Sequence, residues 1–285
     1  MENLTNISVV REIMERHGFH FSKKLGQNFL INPSVCPRIA EMGNAASGYG
    51  VLEIGTGVGV LTHELAKRAD KVCAVEVDGR LLPILEETVG EHKNLHIIHN
   101  DILNCDLNKL IEEEFAGLKV AVCANLPYYI TTPILMYLLE SGADIDTITV
   151  MVQKEVADKL EAEVGTRAAG AITVAVNYYG TAKKLFSVSR GSFMPAPNVD
   201  SAVIQITVGG QWREKIKDSR HFFRMVRAGF QQRRKTLLNS LSGLMGYNKG
   251  LLSETLKELG LPETVRIEAL TMEQLAELSN ALCSA

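Results

Sequence analysis

Cysteine is scarce in this sequence, and its spacing argues against two kinds of site. The five cysteines are odd in number and nowhere spaced as CxxC; they are Cys36, Cys73, Cys105, Cys123 and Cys283. We therefore expect neither a disulfide framework nor a zinc or other metal site, in a chain suited to a reducing compartment.

Long apolar runs are also missing. No run approaches the roughly 20 residues that a membrane-spanning helix needs. Residues 1–20 carry five charged side chains and so lack the apolar stretch of a signal peptide. We expect a cytoplasmic protein with no membrane partner. Because no amphipathic helix suggests a dimer interface, we also expect a monomer.

Basic residues are slightly fewer than acidic ones, which gives a net charge of −3, and the basic residues are unevenly distributed along the chain. Residues 186–250 contain 11 Lys and Arg against 3 Asp and Glu, whereas residues 49–185 contain 12 against 20. Phosphate binding depends on such local basic stretches rather than on the overall charge. A solvated basic face would give the same composition, so charge alone leaves nucleic-acid binding open.

The chain has 285 residues, 46% of them apolar, which is enough for one large domain and a smaller one. Between residues 49 and 153, short apolar runs alternate with helical patterns, as in a mainly parallel sheet with crossover helices. Strands are expected at Val51–Ile54, Lys71–Glu76, Leu95–His99, Val120–Ala124 and Thr147–Val152. Helices are expected at Leu61–Arg68, Arg80–Val89, Leu107–Phe115 and Pro133–Glu140.

The pattern changes after residue 153. Helices are expected at Lys154–Glu161 and Ile172–Tyr178, followed by two strands, Ala182–Val188 and Ser201–Val208, that could pair at the sheet edge. From Ser219 onward the pattern is helical only. The predicted fold class is therefore α/β. A doubly wound Rossmann-like sheet would occupy residues 1–209, and a smaller all-helical domain would occupy residues 210–285.

A glycine-rich turn follows the first predicted strand. The segment Val51-Leu-Glu-Ile-Gly-Thr-Gly-Val-Gly59 leads from an apolar strand into a helix. Glycines there let the backbone approach a bound ligand closely, as in nucleotide and dinucleotide sites. The dinucleotide pattern GxGxxG would need a third glycine where Val60 stands, which disfavours a pyrophosphate ligand.

Two acids follow neighbouring strands. Glu76 ends the second strand about 20 residues after the turn, where a carboxylate can accept from a pair of ribose hydroxyls. Asp101 follows the third strand and could accept from the amine of an adenine ring. A helix N-cap or a solvated strand end would explain each acid alone. Their common position at the carboxyl ends of strands, where ligands of open α/β sheets bind, favours a nucleoside site.

The segment Asn125-Leu-Pro-Tyr128 follows the fourth strand. The amine of adenine is a poor nucleophile because its lone pair is delocalised into the ring. The side-chain oxygen of Asn125 and the carbonyl of Leu126 could accept its two hydrogens, while Pro127 stiffens the turn. Tyr128 would stack on the base. Neither a metal nor a strong base is needed if the methyl donor carries a cationic leaving group. A proline turn with core tyrosines would also explain these residues.

Six motifs together resemble the ribosomal RNA adenine dimethyltransferase family, and most closely its bacterial small-subunit branch. The resemblance spans nearly the whole chain. The motifs are Lys24-Leu-Gly-Gln-Asn-Phe-Leu30, Leu52-Glu-Ile-Gly-Thr-Gly-Val-Gly59, Val75-Glu-Val-Asp78, Asn125-Leu-Pro-Tyr128, Phe193-Met-Pro-Ala-Pro-Asn-Val-Asp-Ser-Ala-Val203 and Phe230-Gln-Gln-Arg-Arg-Lys-Thr-Leu237. The resemblance implies S-adenosyl-L-methionine as methyl donor. It also implies transfer of two methyl groups to the N6 amine of each of two adjacent adenosines near the 3′ end of 16S rRNA, within a nearly mature small ribosomal subunit.

The resemblance also implies roles for individual residues. Cofactor-binding residues would be Asn28, Leu30, Gly55, Gly57, Glu76, Asp101 and Asn125. Catalytic residues would be Asn125, Leu126, Pro127 and Tyr128, with Phe193 facing Tyr128 across a flipped adenine. Lys23, Lys24 and Arg190 would lie near the catalytic site and could contact RNA. Helical stretches of the basic segment could also bind phosphates, through Arg220, Arg224, Arg227, Arg233, Arg234 and Lys235. Ordinary solvated surface charge would explain each of these basic residues equally well.

Other functions remain open. The large-subunit (23S) enzyme of the macrolide-resistance type shares the fold and chemistry. Leu126, the Leu-Gly pair before Gln27 and the helical end Val265–Leu282 favour the small-subunit branch. A non-catalytic ribosome assembly factor could use the same scaffold, although the intact Asn125 motif argues against lost catalysis. A DNA adenine methyltransferase would need a base-reading domain that the sequence does not show. A nicotinamide-dependent oxidoreductase would need a site for hydride transfer, and the sequence offers no candidate for one.

Overall fold

The chain alternates strands and helices up to residue 208 and is helical beyond it. The computed structural model describes residues 4–22 and 26–283. The strands are β1 (Phe29–Leu30), β2 (Tyr49–Ile54), β3 (Lys71–Glu76), β4 (Leu95–His99), β5 (Lys119–Asn125), β6 (Thr147–Gln153), β7 (Gly180–Val188), β8 (Phe193–Met194) and β9 (Ser201–Val208). The helices are α1 (Ile7–Arg16), α2 (Val35–Met42), α3 (Val60–Ala66), α4 (Leu82–Val89), α5 (Leu107–Phe115), α6 (Thr131–Glu140), α7 (Lys154–Glu161), α8 (Ala171–Tyr179), α9 (Trp212–Lys215), α10 (Ser219–Gln231), α11 (Leu237–Met245), α12 (Lys249–Glu258) and α13 (Met272–Cys283).

The main sheet has seven strands in the order β4-β3-β2-β5-β6-β9-β7. Strands β2 to β6 pair in parallel, and β9 pairs antiparallel with β6. From β2 the chain moves outward to β3 and β4, then returns to form β5 on the other side of β2. Strands β2 and β5 therefore flank the point where the strand order reverses, and ligands of open α/β sheets bind at the carboxyl ends of strands at that point.

The central strands form because their side chains are apolar on both faces. Val51 and Leu52 in β2 and Val122 in β5 are fully buried. Near-continuous apolar runs are typical of parallel strands that helices cover on both sides. All five strands expected between residues 49 and 153 are present, with bounds that differ by no more than two residues. The α/β fold class is confirmed.

Contacts divide the chain into two compact units. The first contains the described residues up to Ala157 together with Lys183–Val208, and the second contains Asp158–Ala182 together with the described residues from Gly209 onward. The expected boundary at 209/210 thus lies beside a unit edge. In contrast, Asp158–Ala182 was expected in the first domain and groups with the helical unit. The cause is aromatic packing within that unit, where Tyr179 stacks on Phe223 with ring centroids 5.6 Å apart.

Helix α10 is the central helix of the second unit, in contact with α8, α11 and α13. Asp218 caps its start by accepting from the His221 N–H at 3.0 Å. One face buries Phe222 and Met225, as the helical periodicity of its apolar residues predicts. The expected helical end at 265–282 folds as a 3₁₀ turn, Ile267–Ala269, followed by α13. Among the described residues, no helix combines the length and apolar character needed to cross a membrane.

Candidate cofactor and catalytic site

A cavity opens at the carboxyl ends of β2, β3 and β5, beside the point where the strand order reverses. It encloses about 840 Å³ when the solvent space at its open mouth is included. Six of the predicted cofactor residues line it, namely Asn28, Leu30, Gly55, Gly57, Glu76 and Asn125. The sheet therefore brings together segments from four distant parts of the sequence.

The glycine turn after β2 forms the floor of this cavity. Gly55 and Gly57 have φ angles of +76° and +55°, which residues with a side chain rarely adopt. A Cβ added to Gly55 would meet no protein atom within 4 Å, whereas one added to Gly57 would lie 3.2 Å from the Phe29 ring. Gly55 therefore leaves space for a ligand, and Gly57 lets the segment that contains β1 approach the turn.

Glu76, at the end of β3, ties its carboxylate to this turn. One oxygen accepts from the Thr56 N–H at 2.8 Å and the Thr56 hydroxyl at 2.9 Å, and the other accepts from the Asp78 N–H at 2.9 Å. A carboxylate offers about four acceptor positions. The protein thus fixes the orientation of Glu76 and leaves it capacity to accept from a ribose hydroxyl of a bound nucleoside.

Glu53, in the middle of β2, is a second acid beside the turn, and sequence reasoning gave it no role. Its side chain is fully buried, and neither carboxylate oxygen has a hydrogen-bond partner among the described residues. Burial raises the pKa of Glu53 to about 8, against the opposing influence of the nearby Thr62 hydroxyl. An unpartnered buried carboxyl is costly, and a cationic ligand close to it would reduce that cost.

The charge of the cavity distinguishes between ligands. Among the described residues that line it, Glu76 is charged and no lysine or arginine is present. A pyrophosphate would find no cationic partner on these walls, whereas S-adenosylmethionine carries a positively charged sulfonium. The free space at Gly55 and the acceptor at Glu76 therefore fit this cofactor, and Glu76 and the glycine turn would hold it.

Asn125 ends β5 at the edge of the cavity. Its side-chain Nδ2 donates to the Asn28 carbonyl at 3.3 Å, so its Oδ1 remains available to accept from a ligand. The next turn is held in place because the Pro127 carbonyl accepts from the Ile130 N–H at 3.1 Å and the Thr131 hydroxyl at 3.2 Å. The arrangement presents an amide oxygen at a fixed position, and such an oxygen can accept a hydrogen from an exocyclic amine.

Tyr128 forms part of the cavity wall, and its hydroxyl shares a hydrogen bond of 2.7 Å with the hydroxyl of Ser201. Burial raises the pKa of Tyr128, and the Ser201 contact opposes that shift. Phe193 is buried behind the lining residue Leu30. It is 3% exposed, pairs with Leu30 between β8 and β1, and is not part of the cavity lining. Its role opposite Tyr128 stays a prediction.

Asp101, predicted to contact the cofactor, does not line the cavity. Its carboxylate accepts from the Leu103 N–H at 3.0 Å and caps the 3₁₀ turn Ile102–Asn104. Capping was the alternative explanation that the sequence left open. A contact between Asp101 and an adenine ring stays a prediction.

A network that sequence reasoning did not assign connects the segment before β1 to Glu76. Gln27 lines the cavity and donates to Asp78 at 2.8 Å, while its own oxygen accepts from the Ser22 N–H at 2.8 Å. Arg80 pairs with Asp78 at 2.7 Å, and this hydrogen bond holds the pKa of Asp78 below its usual range. Both Gln27 and Asp78 belong to motifs that resemble the family, and this membership could have identified them from the sequence.

The predicted RNA-contacting residues fall into three groups. Lys23 and Lys24 lie outside the described residues. Arg190, Arg220, Arg224, Arg227, Arg234 and Lys235 are exposed. Arg233 instead pairs with Glu268 and donates to the Arg167 carbonyl, which gives it a structural role within the helical unit.

One group of three candidate metal ligands occurs among the described residues. Side-chain atoms of Cys73, His96 and Glu114 lie within 4.8 Å of one another. Glu114 is already paired with Lys71 at 2.9 Å and with His96 at 2.8 Å. A network of ion pairs explains the group, and the expected absence of a metal stays a prediction.

Comparison with known proteins agrees with this site. The family described as "Ribosomal RNA adenine dimethylase" matches residues 18–283. The ribosomal RNA small subunit methyltransferase A of Geobacillus sp. (strain WCH70) is 47% identical over 276 residues, covering 95% of each chain. Among solved structures, a dimethyladenosine transferase from Plasmodium falciparum shares the fold, with a TM-score of 0.72 and 24% identity over 88% of this chain and 95% of the other.

The solved structure of the 23S rRNA methyltransferase ErmE is also similar. Its TM-score is 0.67 and its identity 28%, covering 90% of this chain and all of that one. The family match extends over most of the chain and through both units, and the identity to the Geobacillus protein is well above that to ErmE. This chain therefore belongs to the ribosomal RNA adenine dimethylase family.

Proposed function

We propose that the chain transfers methyl groups from S-adenosylmethionine to the N6 amines of two adjacent adenosines near the 3′ end of small-subunit (16S) rRNA. One observation carries the proposal most directly. Asn125 presents a free amide oxygen at the edge of a cavity whose described lining includes no basic residue. Such a site suits a cationic methyl donor beside an adenine amine.

In this mechanism the residues of the chain bind and orient. S-adenosylmethionine, when bound, supplies the electrophilic methyl group. Glu76 accepts from a ribose hydroxyl, and the Gly55 turn leaves space for the nucleoside. Asn125 Oδ1 and the Leu126 carbonyl accept the two amine hydrogens, which makes the nitrogen lone pair available for attack. Tyr128 stacks on the base and holds the amine in line with the methyl group.

The choice of the small-subunit substrate is supported by the closer relatives. The Geobacillus protein, 47% identical, is named a small-subunit methyltransferase, whereas the ErmE structure, a 23S enzyme, is 28% identical. The large-subunit activity is therefore the second candidate. An assembly role is compatible with the proposal, because an enzyme that waits for a nearly mature subunit also acts as a checkpoint.

RNA binding would use exposed basic residues of both units. On the first unit, Arg190 is exposed. Its backbone N–H donates to the Asp200 carboxylate at 2.9 Å. On the second, Arg220, Arg224 and Arg227 are exposed on α10 at intervals of four and three residues, so they lie on one helix face. The protein would act as a cytoplasmic monomer on the RNA of the assembling subunit.

The test is methyl transfer from radiolabelled S-adenosylmethionine to three substrates in parallel. These are small subunits from a strain that lacks the adenine methylation, large-subunit RNA and duplex DNA. We expect labelling of the small subunits only. Labelling of large-subunit RNA alone would assign the resistance-type activity. Cofactor binding without transfer to any substrate would reject the enzymatic proposal and favour a binding factor.

A further inference from the structure

Ser201 connects two motifs whose connection the sequence does not reveal. It stands in the Phe193–Val203 motif, 73 residues beyond Tyr128, and its hydroxyl lies 2.7 Å from the Tyr128 hydroxyl. The Ser201 side chain is fully buried, whereas Tyr128 is only partly buried and lines the cavity. The contact therefore joins the outer end of a ring in the cavity wall to a fixed point in the sheet.

The position of Ser201 is itself well determined. It is the first residue of β9 and pairs with Gln153 of β6 in the antiparallel ladder. The preceding residue, Asp200, accepts from the Lys154 N–H through its carbonyl at 3.0 Å and from the Arg190 N–H through its carboxylate at 2.9 Å. The backbone that carries the Ser201 side chain is thus fixed by contacts on both sides, so its hydroxyl can serve as an anchor.

The Tyr128 ring needs such an anchor. Tyr128 begins the 3₁₀ turn Tyr128–Ile130, and its neighbour Tyr129 is 59% exposed, so this turn is only partly covered by protein. A ring held only at its Cβ can tilt about two side-chain torsions. Stacking that keeps an amine in line with a methyl group tolerates misorientation of only about 10–20°. A hydrogen bond at the phenol oxygen fixes the ring at its far end.

We propose that Ser201 is a positioning residue for the methyl-transfer reaction, one that fixes the stacking orientation of Tyr128 through the hydroxyl–hydroxyl hydrogen bond. This proposal rests on the proposed function. Ser201 does not touch the cofactor or the base. Its loss should lower the rate of transfer while leaving cofactor binding intact.

A double-mutant cycle tests this proposal. Ser201→Ala, Tyr128→Phe and the double variant are compared with the wild type for kcat, for the KM of S-adenosylmethionine and for unfolding midpoint. Tyr128→Phe keeps the ring and removes only the hydroxyl. We expect each single variant to lose about three- to ten-fold in kcat, the size of one hydrogen bond. We expect the double variant to lose no more than the worse single, with KM changed by less than about two-fold.

Thr149→Val is the matched control. Thr149 is fully buried in β6, and its hydroxyl accepts from Gln205 at 3.2 Å, away from the cavity lining. It should lower stability without lowering kcat. Additive losses in the cycle, an unchanged kcat in Ser201→Ala, or an equal loss in the control would overturn the positioning role. A wild type that transfers no methyl would instead reject the proposed function itself, and this proposal with it.

Discussion

The polar side chains of the site are held by hydrogen bonds within the protein and keep positions that could accept from a ligand. Three hydrogen bonds orient the Glu76 carboxylate, and the Asn28 carbonyl engages one end of the Asn125 amide. In both cases the protein fixes the group and leaves an acceptor position for a ligand. Such preorganisation is how a site orients a small molecule at low cost.

Replacement of Glu76 by Gln should weaken the binding of S-adenosylmethionine. In the variant, the NH₂ group of the introduced glutamine replaces one of the two carboxylate oxygens. The N–H of Thr56 or of Asp78, which donates to that oxygen in the wild type, then loses its acceptor. We expect the dissociation constant to rise by at least about ten-fold, the size of a lost hydrogen bond to a charged group. Isothermal titration calorimetry measures it.

Glu64→Gln serves as the control for Glu76, because Glu64, on α3, pairs with Arg68 just beyond that helix and does not line the cavity. It should bind the cofactor like the wild type. Equal affinities for the Glu76→Gln variant and the wild type would show that this carboxylate does not bind the ribose.

Glu53 should make stability depend on pH. Its pKa is about 8 when folded and 4.5 in the reference state, so the stability it contributes is fully present below pH 4.5 and is lost as the pH rises toward 8. Glu53→Gln removes this titration. We therefore expect the wild type to lose unfolding free energy relative to the variant between pH 5 and pH 8. The expected loss is on the order of a few kcal/mol.

Urea unfolding of both proteins at pH 5, 6.5 and 8 measures this shift. Comparison at each pH removes the contribution of other titrating groups, such as His221, whose pKa burial lowers. Parallel profiles for the two proteins would mean that Glu53 is ionised in the folded state or has a partner there.

The sequence predicts some site residues and not others for a physical reason. Gly55, Glu76 and Asn125 stand at the ends of recognisable strands, so the geometry of a parallel sheet is sufficient to bring them together. Ser201 contacts a motif 73 residues away, and Glu53 is distinguished by having no hydrogen-bond partner among the described residues. Such properties depend on tertiary contacts that no local pattern encodes.

At the scale of elements, α10 has a buried apolar face and an exposed basic face. Its buried face packs within the helical unit, and its exposed face carries Arg220, Arg224 and Arg227. Replacement of these three by Gln should weaken RNA binding at low salt. If each contacts a phosphate, the slope of log K against log salt should fall by about two to three. Filter binding to small-subunit RNA between 50 and 300 mM salt measures the slope.

A control variant removes the same charge elsewhere on the helical unit. Lys249, Lys257 and Arg266 are exposed and lie outside α10. Their replacement by Gln should leave the salt slope unchanged. If both triple variants reduce the slope equally, the effect is one of general charge, and α10 is not an RNA-binding face.

Some elements were predictable from the sequence and others were not. The five parallel strands are short apolar runs, and the structure contains them within two residues of the expected bounds, while the helical pattern expected from Ser219 onward begins with α10. Strands β1 and β8 have two residues each, and the partners Leu30 and Phe193 are far apart in the sequence. Apolar helix α8 has no polar face to reveal its partner, so its grouping with α10 emerges only from the packing of Tyr179 on Phe223.

At the scale of the whole molecule, the fold class and the family follow from the sequence, while the division of the chain follows only in part. The alternation of strands and helices predicts the sheet, and the six motifs predict the family that the comparison identifies. The segment Asp158–Ala182 belongs to the helical unit although Lys183–Val208, which follows it in the sequence, belongs to the first unit. A linear reading assigns it to the neighbouring domain because no composition change marks its ends.

The central claim is that the cavity beside Asn125 is the site of adenine methylation, and one variant tests it most directly. Asn125→Ala is compared with the wild type in methyl transfer to small subunits that lack the adenine methylation. Asn108→Ala, an exposed asparagine outside the cavity, is the control. We expect saturation at about four methyl groups per subunit for wild type and control, the number expected for two dimethylated adenosines. We expect a rate lower by about 100-fold or more for Asn125→Ala. Full transfer by Asn125→Ala would show that methylation does not take place at this cavity.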